Sequence, residues 1–216
     1  MKKTLVLLVL LLAVALSACG SPTPAPAPLQ NPTITLNQVQ VQSYFPAPWA
    51  GWPGGVPTPT PPPAGTPAAQ YVPFPGTISV PMVLGFVFDV NNPNDSPVVL
   101  ERMQFTVEFE AAPSKAGEYF ALATPIVYEK QTIPAKTTNQ VRAVVVLDSA
   151  AMPGNLLVTS GQRINALGLS YTKLMQDWWA NVGDLGKFGI KATGGTADMT
   201  VGGAKKVITF DGKFPK

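Results

Sequence analysis

From Ile78 to Val90 every second residue is apolar: Ile78, Val80, Met82, Leu84, Phe86, Phe88 and Val90. Side chains alternate between faces along a strand, so this spacing requires an extended segment with one face buried against a second layer. A helix would scatter the same residues around its circumference. Val99, Met103, Phe105, Val107 and Phe109 repeat the pattern, and Gln104, Thr106, Glu108 and Glu110 make the intervening face polar. That second run is expected to find a partner strand within hairpin range. Between the runs lies DVNNPNDSP, Asp89 to Pro97, whose Asn, Asp and Pro residues end one strand and begin the next. Pro81 puts the start of the first run at a sheet edge or a strand start.

The same period recurs elsewhere. Ile34 and Leu36 fall on even positions and Val39 and Val41 on odd ones, a parity change that predicts a β-bulge near Asn37 and Gln38. Shorter strands fit Tyr119–Ala123, Ile126–Gln131 and Val141–Leu147. FGIKATGGTADMTV and KKVITFDGKF read as two closing strands, joined by a hairpin turn at Gly202 and Gly203 with an exposed basic end.

One stretch departs from period two. In SGQRINALGLSYTKLMQDWWANVG, Ile164, Leu167, Gly168, Tyr171, Leu174, Met175, Trp178 and Val182 share a side at helical spacing. Ser160 is the expected N-cap and Gly183 the expected stop of one amphipathic helix. Trp178 continues the apolar side. Trp179 lies about 100° round from it, which places it at the domain boundary or on an interaction surface. These elements predict a mainly β, immunoglobulin- or fibronectin-III-like β-sandwich of about seven strands, with one amphipathic helix near the C-terminal side.

Two segments cannot build a core. Residues 1–18 read as an export signal: Lys2 and Lys3, then an apolar run from Leu5 to Leu16 that is shorter than the roughly 20 residues of a spanning helix. Leu16-Ser17-Ala18-Cys19 is similar to the bacterial lipobox, which implies lipidation of Cys19 and anchoring to the envelope membrane by two or more acyl chains. Residues 19–32 then form a proline-rich stalk of roughly 40 Å, at about 3.1 Å per residue. The second segment, 45–76, is rich in proline and glycine and uncharged, and it inserts into the domain at 33–216. It carries Trp49 and Trp52. These either fold back onto the domain or offer a surface to a partner or membrane interface.

Composition narrows the chemistry. The chain has no histidine, and Cys19 is its one cysteine. Histidine-dependent triads, a Cys–His pair, a structural zinc site and an intramolecular disulfide are therefore excluded. Without Lys2 and Lys3 the charges nearly balance, so no nucleic-acid surface is expected. Three candidate sites read better as structure. Asp89–Pro97 fails the calcium-loop pattern, with Asn94 where glycine is needed and Leu100 where glutamate is needed. Ser170-Tyr171-Thr172-Lys173 lacks the companion motifs of the serine enzymes that use S-x-x-K. Glu108 and Glu110 lie about 7 Å apart on one strand face, as alternating polar residues on a wet face do. No cofactor, metal or catalytic residue is expected, and the chain is read as a non-enzyme.

FVFDVNNPNDSPVVLERMQFTVEFEA resembles the signature of the late embryogenesis abundant group 2 family, the water stress and hypersensitive response (WHy) domain. Asn92, Pro93 and Asn94 match its central turn. QTIPAKTTNQVRAVVVLD and VITFDGKFPK resemble later strands of the same family. The resemblance implies a β-sandwich with a helix and a protective role under desiccation, cold and other stresses, with no enzymatic chemistry. The 45–76 insertion and the Trp178–Trp179 helix depart from the family pattern. The expected function is that of a membrane-anchored, extracytoplasmic stress-protection protein with a protein client. The alternative is an accessory lipoprotein of an envelope complex.

Overall fold

The computed structural model describes residues 28–44, 81–149 and 151–215. Cys19, Trp49, Trp52 and the 45–76 insertion lie outside the described residues.

Seven long strands and two short ones form two sheets. The first sheet has the order β1 (Thr33–Tyr44), β2 (Pro81–Asn91), β7 (Thr138–Asp148), all antiparallel. The second runs β4 (Lys115–Ala123), β3 (Val98–Ala111), β8 (Ile190–Val201), β9 (Ala204–Phe214). The short strands β5 (Ile126–Val127) and β6 (Gln131–Ile133) continue the β4 side of β3. The chain is therefore a mainly β, two-sheet sandwich with helical structure near its C-terminal side, as the alternating pattern requires.

The inward residues of β2 decide the packing. Met82, Leu84, Phe86, Phe88 and Val90 have no solvent exposure, and burial of each contributes about 1.5–3 kcal/mol. Phe88 meets Phe105 of β3 edge-on at 5.0 Å and Phe210 of β9 at 5.3 Å, which stitches the two sheets together. Pro81 opens β2 as a strand start, although β2 is a central strand. The parity change in β1 is a register shift between Leu36 and Gln38. β3 finds its hairpin partner in β4, and β2 and β3 lie in opposite sheets, so Asn92–Pro97 is a crossover between layers. The β8–β9 turn places Gly202 at φ 57° and Gly203 at φ 81°, a pair of left-handed residues that suits a two-residue hairpin.

The helical stretch differs from the expectation. It is two helices, α1 (Met152–Ala166) and α2 (Tyr171–Asn181). Ser160 lies inside α1, which begins eight residues earlier with Pro153 in its first turn. Gly168, at φ 68°, breaks the run, and Ser170 caps α2 by accepting from Lys173 N. The spacing looked continuous because Ile164, Leu167 and Tyr171 keep helical intervals across the break. α1 lies along β4: Asn155 Nδ2 donates to Leu122 O and Arg163 Nη1 to Tyr119 O.

Trp179 corrects the sequence reading. It is fully buried, as are Met175, Trp178 and Val182. Both i, i+4 ridges of α2, Met175–Trp179 and Trp178–Val182, are covered, so the helix is embedded over an arc wider than one stripe. Trp179 is neither a boundary residue nor an interaction surface.

Candidate functional site

The polar residues that carry the sequence motif converge at one end of the sandwich. Asn92 follows β2 directly and has no exposure. Its Nδ2 donates to Ser96 O at 2.9 Å, Pro134 O at 3.0 Å and Ile133 O at 3.2 Å. Its Oδ1 accepts from both Asn94 N and Asn94 Nδ2 at 3.0 Å, and its own N–H donates to Thr137 O at 2.8 Å. One amide thus closes its own turn and ties it to the β6–β7 connection. Buried polar groups are tolerable when satisfied in this way, and costly when they are not.

Asn94 extends the joint to the incoming chain. Its Oδ1 accepts from Gln30 N at 2.7 Å and its Nδ2 donates to Gln30 O at 3.0 Å. Pro93 exposes a carbonyl to which Lys136 Nζ donates at 2.7 Å, and Lys136 also pairs with Asp95 at 3.2 Å. Lys136 itself sits at φ 55°, and its N–H donates to Asn94 O at 3.1 Å. On the other side of the entering strand, Lys206 Nζ donates to Asn31 Oδ1 at 3.0 Å, and a side chain at Gly202 would collide with Leu29. A shallow pocket of about 270 Å³ lies between Pro28–Gln30, Pro93–Ser96 and Lys136. The amides of this corner do not titrate and are engaged with main chain, so the arrangement holds backbone in place.

The other candidate residues are dispersed. Asp89 lies on the outer face of β2, where it accepts from Asn37 Nδ2 at 2.7 Å and Gln140 Nε2 at 3.2 Å. Asp95 turns instead to Lys136, so the two carboxylates of the opening motif do not converge. Among the described residues, no group of three or more acidic, cysteine or histidine side chains is placed to hold a metal. Glu110 accepts from Gly117 N and Gly189 N, each at 2.7 Å, and its main-chain carbonyl takes the Trp178 Nε1 donor at 2.7 Å. Ser170 is a helix cap, and Lys173 pairs with Asp177 on the same helix. Arg163 belongs to α1 and pairs with Glu118. Ser170 and Lys173 are exposed on α2, Asp177 beneath them is buried, and Arg163 stands on the other helix.

A second cluster was not legible in the sequence. Tyr119 of β4 is buried, with Lys191 Nζ 3.6 Å above its ring. Its hydroxyl makes no well-formed hydrogen bond among the described residues. Burial pushes this phenol above the ordinary tyrosine range, and the carboxylate of Glu110 adds to the rise. Burial likewise raises Tyr171. At the basic hairpin end, Thr200 Oγ1 donates to Glu101 at 2.7 Å and Lys205 lies 3.6 Å away, and together they hold the Glu101 carboxyl below the usual range.

No family model matches the chain, and no curated protein matches it. Among solved structures, a protein from Archaeoglobus fulgidus is similar at 12% identity, with a TM-score of 0.33, over 65% of this chain and 88% of that one. The Northeast Structural Genomics Consortium target SoR45 is similar at 10% identity, with a TM-score of 0.35, over 86% of each chain. No helix among the described residues is long and apolar enough to cross a membrane.

Proposed function

We propose that this protein is a membrane-anchored, extracytoplasmic, non-enzymatic protector of the WHy type, acting when water is withdrawn. The observation that carries this reading is the Asn92–Asn94 corner. The residues that resemble the family marker form a buried polar joint whose partners all belong to the protein. Such a joint needs no solvent to satisfy its donors and acceptors, so falling water activity does not unmake it. The same joint grips Gln30, where the stalk enters the domain, and so fixes how the body hangs from a lipidated Cys19. Protection of this kind requires a durable folded surface near a membrane and no turnover.

The alternative, an accessory lipoprotein of an envelope complex, loses one of its two supports with the burial of Trp179 and rests on Trp49 and Trp52. The test is a deletion strain compared with its parent after drying, freezing and osmotic shock. Reduced survival, restored by the wild-type chain, is expected. Equal survival overturns the reading, and a stoichiometric partner recovered from detergent extracts of the parent would favour the alternative.

A further inference from the structure

The entering chain changes character at Pro32. Pro28, Leu29, Gln30 and Asn31 are exposed, whereas Pro32 is buried, and the ladder with β2 begins one residue later, at Thr33 opposite Asn91. Ahead of Pro32 the chain belongs to no strand, and side chains from elsewhere do the holding. Asn94 takes both main-chain groups of Gln30. Lys206 Nζ donates to Asn31 Oδ1 at 3.0 Å. Leu29, 46% exposed, lies against Gly202, where an added Cβ would stand 2.3 Å from its Cδ1. The pocket of about 270 Å³ between residues 28–30 and the turn at Pro93 to Ser96 leaves this strap bridged to the domain rather than packed down along its length.

The two sides of Pro32 therefore open at different cost. Releasing residues 28–31 breaks a few side-chain contacts and bares little apolar surface. Peeling further breaks ladder bonds to β2 and bares Ile34 and Leu36, both in the core. Segments with few buried contacts open locally, well below the free energy of global unfolding. Pro32 also keeps Asn31 extended, because the residue before a proline is pushed out of the helical region. The released strap thus stays close to the shape that Asn94 accepts.

We infer that residues 28–31 form a clasp that opens and closes as a unit while the sandwich stays folded, with Pro32 as its stop. Closed, the clasp fixes the attitude of the domain by gripping the chain from two sides, at Asn94 and at the β8–β9 hairpin. Open, it lets the domain pivot at Pro32 and lengthens the connection to whatever holds the chain upstream by up to about 13 Å, at about 3.3 Å per residue. That gain in reach rests on the anchored reading proposed above, whereas the clasp itself stands on the contacts of Leu29, Gln30 and Asn31.

Native-state hydrogen exchange of the full-length chain in detergent, followed by NMR through sub-denaturing urea, tests the clasp without a membrane and apart from any survival assay. The Gln30 amide is expected to be protected, yet to exchange at least about a hundredfold faster than the slowest amides of β1. Its rate should not depend on urea, because a local opening exposes little surface. Lys206→Ala should speed Gln30 a few-fold and leave β1 unchanged. Pro32→Ala should let urea-independent exchange spread into the first residues of β1. Exchange of Gln30 at the rate and urea dependence of β1 overturns the inference, since the strap then opens only with the sandwich. No protection at Gln30 overturns it too, since then no clasp closes. A start of β1 unmoved by Pro32→Ala overturns Pro32 as the stop.

Discussion

Asn94 grips Gln30 at both main-chain groups, accepting from its N–H at 2.7 Å and donating to its carbonyl at 3.0 Å. This is the pairing a neighbouring strand would offer, supplied by one side chain. Asn94→Ala is expected to cost about 1–3 kcal/mol of folding stability and to speed hydrogen exchange at the Gln30 amide. Unchanged protection at Gln30 would show that the grip is not what orders the chain there.

Asn92 is the more demanding position. Asn92→Ala strands three acceptors at Ser96, Ile133 and Pro134 and frees two donors of Asn94. A loss of about 2–4 kcal/mol in chemical denaturation is expected. Asn92→Asp should be worse at neutral pH, since it turns a charge toward carbonyl oxygens.

Trp179 gives the sharpest contrast between packing and recognition. Fully buried, it should cost about 3–5 kcal/mol when changed to alanine. Its Nε1 has no partner among the described residues, so Trp179→Phe gives up apolar volume and no hydrogen bond seen there, and should cost under about 1.5 kcal/mol. Thermal unfolding of the two variants checks both figures, and near-zero effects would place the side chain at the surface.

Tyr119→Phe should leave neutral-pH stability within about 0.5 kcal/mol or raise it slightly, because the buried hydroxyl makes no well-formed hydrogen bond among the described residues. The effect should grow in alkali. The fold favours the neutral phenol and raises its pKa, so the wild-type contribution is present below the unfolded-state pKa and fades as pH rises through the folded value. Denaturation midpoints of the two proteins should therefore separate, to the disadvantage of the wild type, above the ordinary tyrosine range.

Glu101 has the opposite sign. Its folded-state pKa is lowered, first by the Thr200 hydroxyl and then by Lys205, so its contribution is complete above the unfolded value and lost as pH falls through the folded one. A carboxyl titration followed by NMR should place Glu101 below ordinary glutamate, and Thr200→Val should move it upward. No movement would assign the shift to Lys205 alone.

The strands were legible because burial on one face imposes period two. Met82 to Val90 and Met103 to Phe109 show it without interruption, and the Leu36–Gln38 irregularity was visible as a change of parity. The helical break was hidden because apolar spacing continues through Gly168. Pro153, a first-turn signal, was available and points to the true start of α1. The burial of Trp179 depended on how many elements surround α2, which no local pattern encodes. The Asn92–Asn94 turn was visible as a turn, but its grip on Gln30 spans 64 residues of sequence and leaves no local trace.

β1 has 12 residues and is about 40 Å long at about 3.3 Å per residue, and it separates two ends of different character. Gln30 enters beside Asn94 at one end. Tyr44 and Pro81, between which the uncharged aromatic segment runs, stand at the other. Whatever holds the residues before Gln30 therefore holds the molecule by the pole opposite Tyr44 and Pro81. A sandwich held only there would stand upright on a surface, like a mast.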